Sequence, residues 1–449
     1  CLRNYFPVRT ERPFSPPERD RTVLLKSKSG PRDMLGRGRV VSLAEAMEML
    51  ARRMPTAVGE EEVLPLAEAL ERVLARDVIS PEDLPPHPRS TMDGYAVRAR
   101  DTFGATESMP AYLDVSGEVR MGEFPDLGPL PGCCYAIATG GLLPPETDAV
   151  VMLEHTVKVD EQLIEVVRPV AVGAHTIGTG EDIARGSRLF SAGHRLRPQE
   201  LGLLAGLGVV SLPVYRRVKV GIFSTGDELV SFTEPPPPGK IRDMNFVHLA
   251  ALTAQAGAKA RFYGIVADRE EELTATATMA LQENDLVLFS GSSSVGSRDL
   301  GEKVLGKLGS PGIIFHGVSI KPGKPLIFAL AGNKPVFGLP GHPVSAAIAF
   351  GLFVEPVLHN LAGRGGSDLP SRRTVPARLT RNISSAAGRT DFVRVRISRP
   401  ETSAAFEAQP VLGTSGALSS MVQAHGYIVV RDTLQGVKAG EMVEVILYD

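Results

Sequence analysis

The sequence is poor in the features that assign a chain to a class most quickly. It has three cysteines in 449 residues, Cys1 and the adjacent Cys133 and Cys134, too few for a disulfide framework and in no zinc-binding spacing. They read as buried thiols in a reducing compartment, so the expected location is the cytoplasm. Charge of one sign is lacking as well: 49 Lys and Arg against 51 Asp and Glu leave a net charge of −2 and a pI of about 6.6. No global field draws the chain to nucleic acid or to an anionic membrane, and the expected partner is a small molecule. Apolar runs free of Gly and Pro are short too. The uncharged run Leu201 to Tyr215 is shorter than the ~20 residues a membrane span needs, and Gly and Pro interrupt it. There is no GxGxxG after a strand, no GxxxxGK[ST] and no HExxH, which disfavours a dinucleotide dehydrogenase, a P-loop NTPase and a zincin.

What remains, 43% hydrophobic and 22% charged residues, describes a globular chain long enough for several domains. Residues 1–38 are aperiodic, rich in Arg, Pro and Ser, and have no apolar h-region. They read as a disordered tail or as sequence upstream of the natural start, with Met34 as a candidate initiator. An elongated, helical N-terminal domain is expected over 39–81 and 169–216. Its first helix opens on the capping box Ser42-Leu43-Ala44-Glu45, a second carries Leu66, Leu70, Val73 and Leu74, and another starts near Pro198. Short alternating runs such as Tyr112–Val115, Ala149–Leu153 and Leu163–Val167 make 82–168 an inserted β-rich domain.

From Val218 strands alternate with helices. Strands are expected at 218–223, 260–266, 286–289, 313–320 and 326–330, with helices at 246–256, 269–282, 300–308 and 343–361. That order predicts a three-layer α/β domain over 217–362 with a mostly parallel sheet, whose ligands bind outside the carboxyl ends of the strands. Gly363–Ser367 is a linker by composition, and 370–449 alternates without a long helix, as a small C-terminal β-barrel would. The fold class expected is therefore multidomain α/β plus β.

Chemistry gathers where those strands should stop. The first runs into Ser224-Thr225-Gly226-Asp227-Glu228, the second reaches Asp268, and the third enters the loop Ser290 to Ser297 with Asp299 beyond it. Lys321-Pro322-Gly323-Lys324-Pro325 and Gly338-Leu339-Pro340-Gly341-His342-Pro343 complete the set. Small residues and lysines suit phosphate or another oxyanion, and carboxylates suit a hard cation such as Mg²⁺. Each piece alone also has a plainer meaning. Asp227-Glu228 and Asp268 could cap helices, the lysines could be solvated turn residues, and Asp93, in Ser90-Thr91-Met92-Asp93-Gly94, suits a tight Asp-Gly turn.

These motifs resemble the molybdopterin molybdenumtransferase family, which includes bacterial MoeA and the gephyrin E domain. The resemblance rests on Thr225–Leu229, Ser294-Val295-Gly296, the KPGKP loop and Leu339–Ala346. Outside that domain it rests on Ser90–Val97, Thr139-Gly140 with Pro144, and Gly180-Glu181-Asp182-Ile183. It implies a molybdopterin-binding α/β domain and an enzyme of molybdenum cofactor biosynthesis. Such an enzyme takes adenylylated molybdopterin and molybdate, releases AMP with Mg²⁺, and inserts the metal. It also implies a homodimer whose active site joins the α/β domain of one subunit to the inserted unit of the other, with the molybdopterin adenylyltransferase as a candidate partner.

The roles implied are as follows. Thr225, Asp227, Ser290, Gly291, Ser294, Gly296, Pro340 and Gly341 would hold the pterin and its phosphate, and Lys321 and Lys324 would neutralise phosphate or molybdate. Glu228 and Asp299 would hold Mg²⁺. Asp93, Asp182 and Asp268 resemble the family's other essential carboxylates, Thr139 lies with the substrate, and Arg389, Arg394 and Ser415 resemble residues lining the cleft. The sequence departs from the family pattern at Ala136, Ile177, Ser292, Ser297 and Leu300, which leaves open a catalytically degenerate pterin-binding paralogue or a scaffold.

Overall fold

The computed structural model describes residues 40–55, 57–291, 295–364, 372–401 and 405–448, without the side chains of 295–299. The expectations for residues 1–38, Ser292 and Ser294 and for the side chains of Ser297 and Asp299 lie outside the described residues. Helix α1 (Leu43–Arg52) opens as its sequence dictates. Ser42 Oγ accepts from the Glu45 amide at 3.2 Å, and Glu45 Oε2 accepts from the Ser42 amide at 2.8 Å. Its buried Leu43, Ala46, Met47 and Leu50 belong to the same hydrophobic core as Val218, Val220 and Ile222 at the start of the α/β unit.

The second expected helix is absent. Only a single 3-10 turn, Leu66–Glu68, follows strand β1 (Glu61–Pro65), and Glu71 takes a positive φ of 66°. Val73 and Leu74 then form β-bridges with Arg195 and Val214, so the apolar spacing that imitates a helix serves an extended segment. The inserted region folds as β2 (Arg89–Ser90), β3 (Gly94–Val97), β4 (Ala111–Val119), β5 (Cys133–Ile137), β6 (Ala149–Met152), β7 (Thr156–Lys158) and β8 (Leu163–Val166). Six of these form one sheet in the order β6-β3-β5-β4-β8-β7, a β-rich half-barrel. β9 (Thr176–Ile177) returns to pair with β2, α2 (Pro198–Gly206) follows, and β10 (Ser211–Tyr215) pairs with β1.

The central sheet is built from β11 (Lys219–Thr225), β12 (Lys259–Val266), β13 (Leu286–Ser290), β14 (Pro311–His316), β16 (Ile327–Ala331) and β17 (Lys334–Leu339), with the short β15 (Ile320–Lys321) between β14 and β16. The order is β12-β11-β13-β17-β16-β14. Both faces are buried. Val220, Ile222, Leu286 and Leu288 join the core that holds α1, α3 (Asn245–Gln255) and α6 (Pro343–Ala349). Phe223, Val287 and Phe289 join the core that holds α4 (Glu270–Glu283) and α5 (Val295–Lys307).

The sheet is mixed rather than mostly parallel: β11 pairs in parallel with β12 and β13, and β13 with β17, but β16 is antiparallel to both β17 and β14. The cause is a two-residue Gly332-Asn333 hairpin, Gly332 at φ 63°, between β16 and β17. The sequence reading passed over β17, and it ran β14 and β15 together across Gly317.

The last helical segment runs through a π turn, Phe350–Val354, into α7 (Glu355–Leu361). Pro343–Leu361 is long and apolar enough to cross a membrane by length and composition, but most of it is buried inside the fold as a core helix. Beyond it β18 (Thr374–Leu379), β19 (Thr390–Ser398), β20 (Phe406–Pro410), β21 (Gly426–Val430) and β22 (Met442–Leu447) close into a five-stranded barrel, β19-β20-β18-β22-β21 and back to β19. β15 pairs in parallel with β19, Ile320 opposite Thr390 and Lys321 opposite Asp391, and so ties the barrel to the α/β unit.

Candidate functional site

The register of the central sheet decides which loops meet. Ser224 lies opposite Ser290, and Ser290 opposite Leu339, so the ends of β11, β13 and β17 are level. β14 runs in the same sense as β17 because two antiparallel pairings separate them, which brings the β14–β16 connection, with Lys321 and Lys324, to the same edge. The five strand-end loops therefore lie along one edge although the sheet is not all parallel.

Thr225 is buried and donates its hydroxyl to Asp268 Oδ1, a contact between the ends of β11 and β12. The Asp268 amide donates to Asp227 Oδ1 at 3.3 Å, and the Lys240 ammonium donates to the Asp227 carbonyl. The exposed Glu228 folds back over Gly226: a Cβ built there would lie 2.7 Å from Glu228 Oε2. Asp227-Glu228 opens no helix, because the chain continues into the short strand Leu229–Val230. Ser290 is buried, its hydroxyl 3.4 Å from that of Ser224. Gly291, at φ 120°, donates its amide to the Leu339 carbonyl at 3.3 Å, and a Cβ there would fall 2.0 Å from the Thr225 carbonyl oxygen. Only glycine lets the two strand ends approach so closely.

On the far side Pro340 is buried, and the Gly341 carbonyl accepts from Asn245 Nδ2 at 2.7 Å. His342, the residue before α6, meets Ser415 of the barrel, with Nδ1 3.0 Å from Ser415 Oγ. The Val344 amide donates to the Ser415 carbonyl at 3.2 Å, so loop 411–418 is fastened to this turn twice. Lys321 and Lys324 are exposed. Gly296 and Asp299 both lie in α5.

Two expected cleft residues are paired within the barrel. Arg389 makes a bidentate pair with Asp391, at 2.6 and 3.0 Å. Arg394 is buried and donates to the Gly413 carbonyl at 2.7 Å, and burial pushes its pKa down.

A second cluster forms in the inserted region. Asp93 Oδ1 accepts from the Thr139 amide at 2.7 Å and from its hydroxyl at 2.9 Å; these two bonds hold the Asp93 carboxyl below the usual carboxylate range. Backbone bonds from Ser90 to Gly141, Gly140 to Ser90 and Thr91 to His175 bring the segments 89–93, 139–141 and 175–177 together. Asp182 is exposed, and its amide donates to Leu84. Among the described residues no hydrogen bond or ion pair joins this cluster to the strand-end cluster.

Sequence reasoning missed Asp243 and Asn245, at the start of α3. Both are buried, and Asp243 Oδ2 and Asn245 Oδ1 have no hydrogen-bond partner. Their signal was the pair of cap-type residues in Arg242-Asp243-Met244-Asn245, directly before an apolar helix.

A hard cation takes oxygen donors. Asp227, Glu228 and Asp268 supply carboxylate oxygens along one edge, but among the described residues no three acidic, His or Cys side chains form a ready cage. That donor set fits a cation such as Mg²⁺, which keeps waters and substrate oxygens in its shell.

Three family models match the chain in order. "MoeA N-terminal region (domain I and II)" covers residues 41–208, "Probable molybdopterin binding domain" 221–360, and "MoeA C-terminal region (domain IV)" 376–448. The chain is 33% identical over 408 residues to a molybdopterin molybdenumtransferase of Haemophilus influenzae, covering 90% of this chain and 98% of the relative. It is 32% identical over 395 residues to one of Bacillus subtilis, covering 87% and 90%. Among solved structures, a molybdopterin biosynthesis moeA protein from Pyrococcus horikoshii superposes with a TM-score of 0.78 at 33% identity, over 91% of this chain and 100% of that one. The chain belongs to the MoeA family, whose N-terminal, molybdopterin-binding and C-terminal regions it carries in that order.

Proposed function

We propose that the chain is a molybdopterin molybdenumtransferase: it binds adenylylated molybdopterin and molybdate, releases AMP, and delivers the metal to the pterin dithiolene. The observation that carries the reading is the placement of Thr225–Asp268, Gly291 and the Gly341–His342 turn along one edge of the central sheet. The relatives named molybdopterin molybdenumtransferase support it over nearly the whole chain.

In this reading the amide-rich ends of β13 and β17 hold the terminal phosphate, and the close approach at Gly291 gives the backbone a surface without side chains for it. Thr225 holds one oxygen of Asp268 in place. Lys321 and Lys324 gather anions at the rim. Glu228, with Asp227 and Asp268 beside it, would hold Mg²⁺ together with Asp299. When bound, the ion polarises the phosphoanhydride. Asp93, Thr139 and Asp182 complete the site from the partner subunit of a homodimer, which accounts for the separation of the two clusters.

The test is incubation of the purified protein with adenylylated molybdopterin, Mg²⁺ and molybdate. AMP should appear together with cofactor able to activate an apo-molybdoenzyme. Pterin nucleotide bound without AMP release would instead mark a non-catalytic binder or scaffold.

A further inference from the structure

The family resemblance places Thr139 with the substrate, but its contacts give it other work. β3 and β5 pair antiparallel with Gly94 opposite Ile137, so Asp93, just before β3, and Thr139, two residues beyond β5, come to the same end of the pair. Gly94 permits this approach: a Cβ there would fall 1.9 Å from the Val151 carbonyl oxygen of β6. The Thr139-Gly140 turn is held independently of Asp93. The Gly140 amide donates to the Ser90 carbonyl at 2.8 Å, and Arg89 Nη1 donates to the Gly140 carbonyl at 2.7 Å.

From that fixed turn Thr139 directs both its donors at one atom. Its amide and its hydroxyl reach Asp93 Oδ1 at 2.7 and 2.9 Å, while Oδ2 of this exposed carboxylate takes no hydrogen bond or ion pair among the described residues. An amide only donates and an ionised carboxylate only accepts, so neither bond can run the other way. The lowered pKa of Asp93 has these two bonds as its cause, with desolvation opposing them. We infer that Thr139 is a positioning residue that acts through Asp93 rather than through the substrate, fixing Oδ1 so that Oδ2 alone is left open. Serine can make both bonds, whereas valine keeps only the amide one. That Asp93 belongs to a reacting site rests on the function proposed above; that Thr139 fixes it does not.

The experiment uses the full chain with ¹³C-labelled aspartate carboxyls. The Asp93 resonance is assigned by its loss in Asp93→Asn and followed against pH in wild type, Thr139→Ser and Thr139→Val. The inference expects the Asp93 midpoint to rise in Thr139→Val and to stay at the wild-type value in Thr139→Ser. A midpoint unmoved in Thr139→Val overturns it, whatever the protein catalyses. If the wild type releases AMP, Thr139→Val should lose about 10-fold in kcat with KM for adenylylated molybdopterin unchanged, and Thr139→Ser should keep the wild-type rate. Equal rates in Thr139→Val and wild type, or a rise in KM at constant kcat, overturn the inference while leaving the proposed function intact. Absence of AMP from the wild type strikes the proposed function and leaves the carboxyl titration as the test of Thr139.

Discussion

At the scale of single residues, the site depends on contacts between positions far apart in sequence. Thr225 and Asp268 were both recognisable as polar residues at strand ends, but their hydrogen bond is a product of the parallel β11–β12 pairing. His342 was legible as part of a motif, but its partner Ser415 comes from the barrel. Gly291→Ala puts a methyl group against the Thr225 carbonyl and imposes a strained φ. The expected result is loss of pterin-nucleotide binding with about 1–3 kcal/mol of destabilisation, read by calorimetry and denaturant unfolding.

His359 predicts a pH effect of a different kind. It is buried with Nδ1 unpartnered, and burial, reinforced by the charges of Arg364, Arg195 and Arg372, pushes its pKa down to about 3. The unfolded chain binds that proton below about pH 6.5, so between pH 6.5 and 3 the unfolded state holds more protons and stability falls as pH is lowered. His359→Leu should cancel about 1.5 kcal/mol of the loss seen between pH 6.5 and 5. Equal slopes of stability against pH in the two proteins would show that His359 is not the cause.

At the scale of elements, what was legible had a local cause. The capping box at Ser42 specified α1, and Ser42→Ala should cost about 1 kcal/mol in unfolding free energy. The segment 66–74 was misread because its apolar spacing fits a helix, while its pairings with Arg195 and Val214 are made by distant sequence. β17 was missed because a two-residue turn is short enough to pass for continuous sequence, and with it went the mixed character of the sheet.

The π turn at Phe350–Val354 leaves no trace in composition. Arg372 donates to the Gly351 carbonyl, to Glu355 and to the Tyr427 hydroxyl, fastening that turn to the barrel. Arg372→Met should leave the buried Tyr427 hydroxyl and the half-buried Gly351 and Glu355 without this donor and cost about 1–3 kcal/mol. Because the barrel carries Ser415, it should also weaken activity; a variant as stable as wild type would show that the clamp is idle.

At the scale of the whole molecule, the order of the units could be read along the chain, and the meeting of the strand-end loops followed from sheet geometry. What could not be read is how the cluster of Asp93 and Thr139 reaches the cluster of Asp268, since no described contact within one chain joins them. A site shared between two subunits makes a sharp prediction. Asp93→Ala and Asp268→Ala should each be inactive, and mixing them under exchange conditions should restore up to about a quarter of wild-type activity, because random pairing creates one intact site in half of the dimers. Mixtures that stay inactive despite exchange would place both carboxylates in the same subunit's site.

The central claim is that the edge of the mixed sheet, organised around Thr225 and Asp268, performs the transfer. Single-turnover release of AMP from adenylylated molybdopterin, measured with Mg²⁺ and molybdate in wild type and in Asp268→Asn, tests it most directly. The account predicts stoichiometric AMP from the wild type and a rate lower by at least about 100-fold in the variant, with the pterin nucleotide still bound. No AMP above background from the wild type, or equal rates in the two proteins, would contradict it.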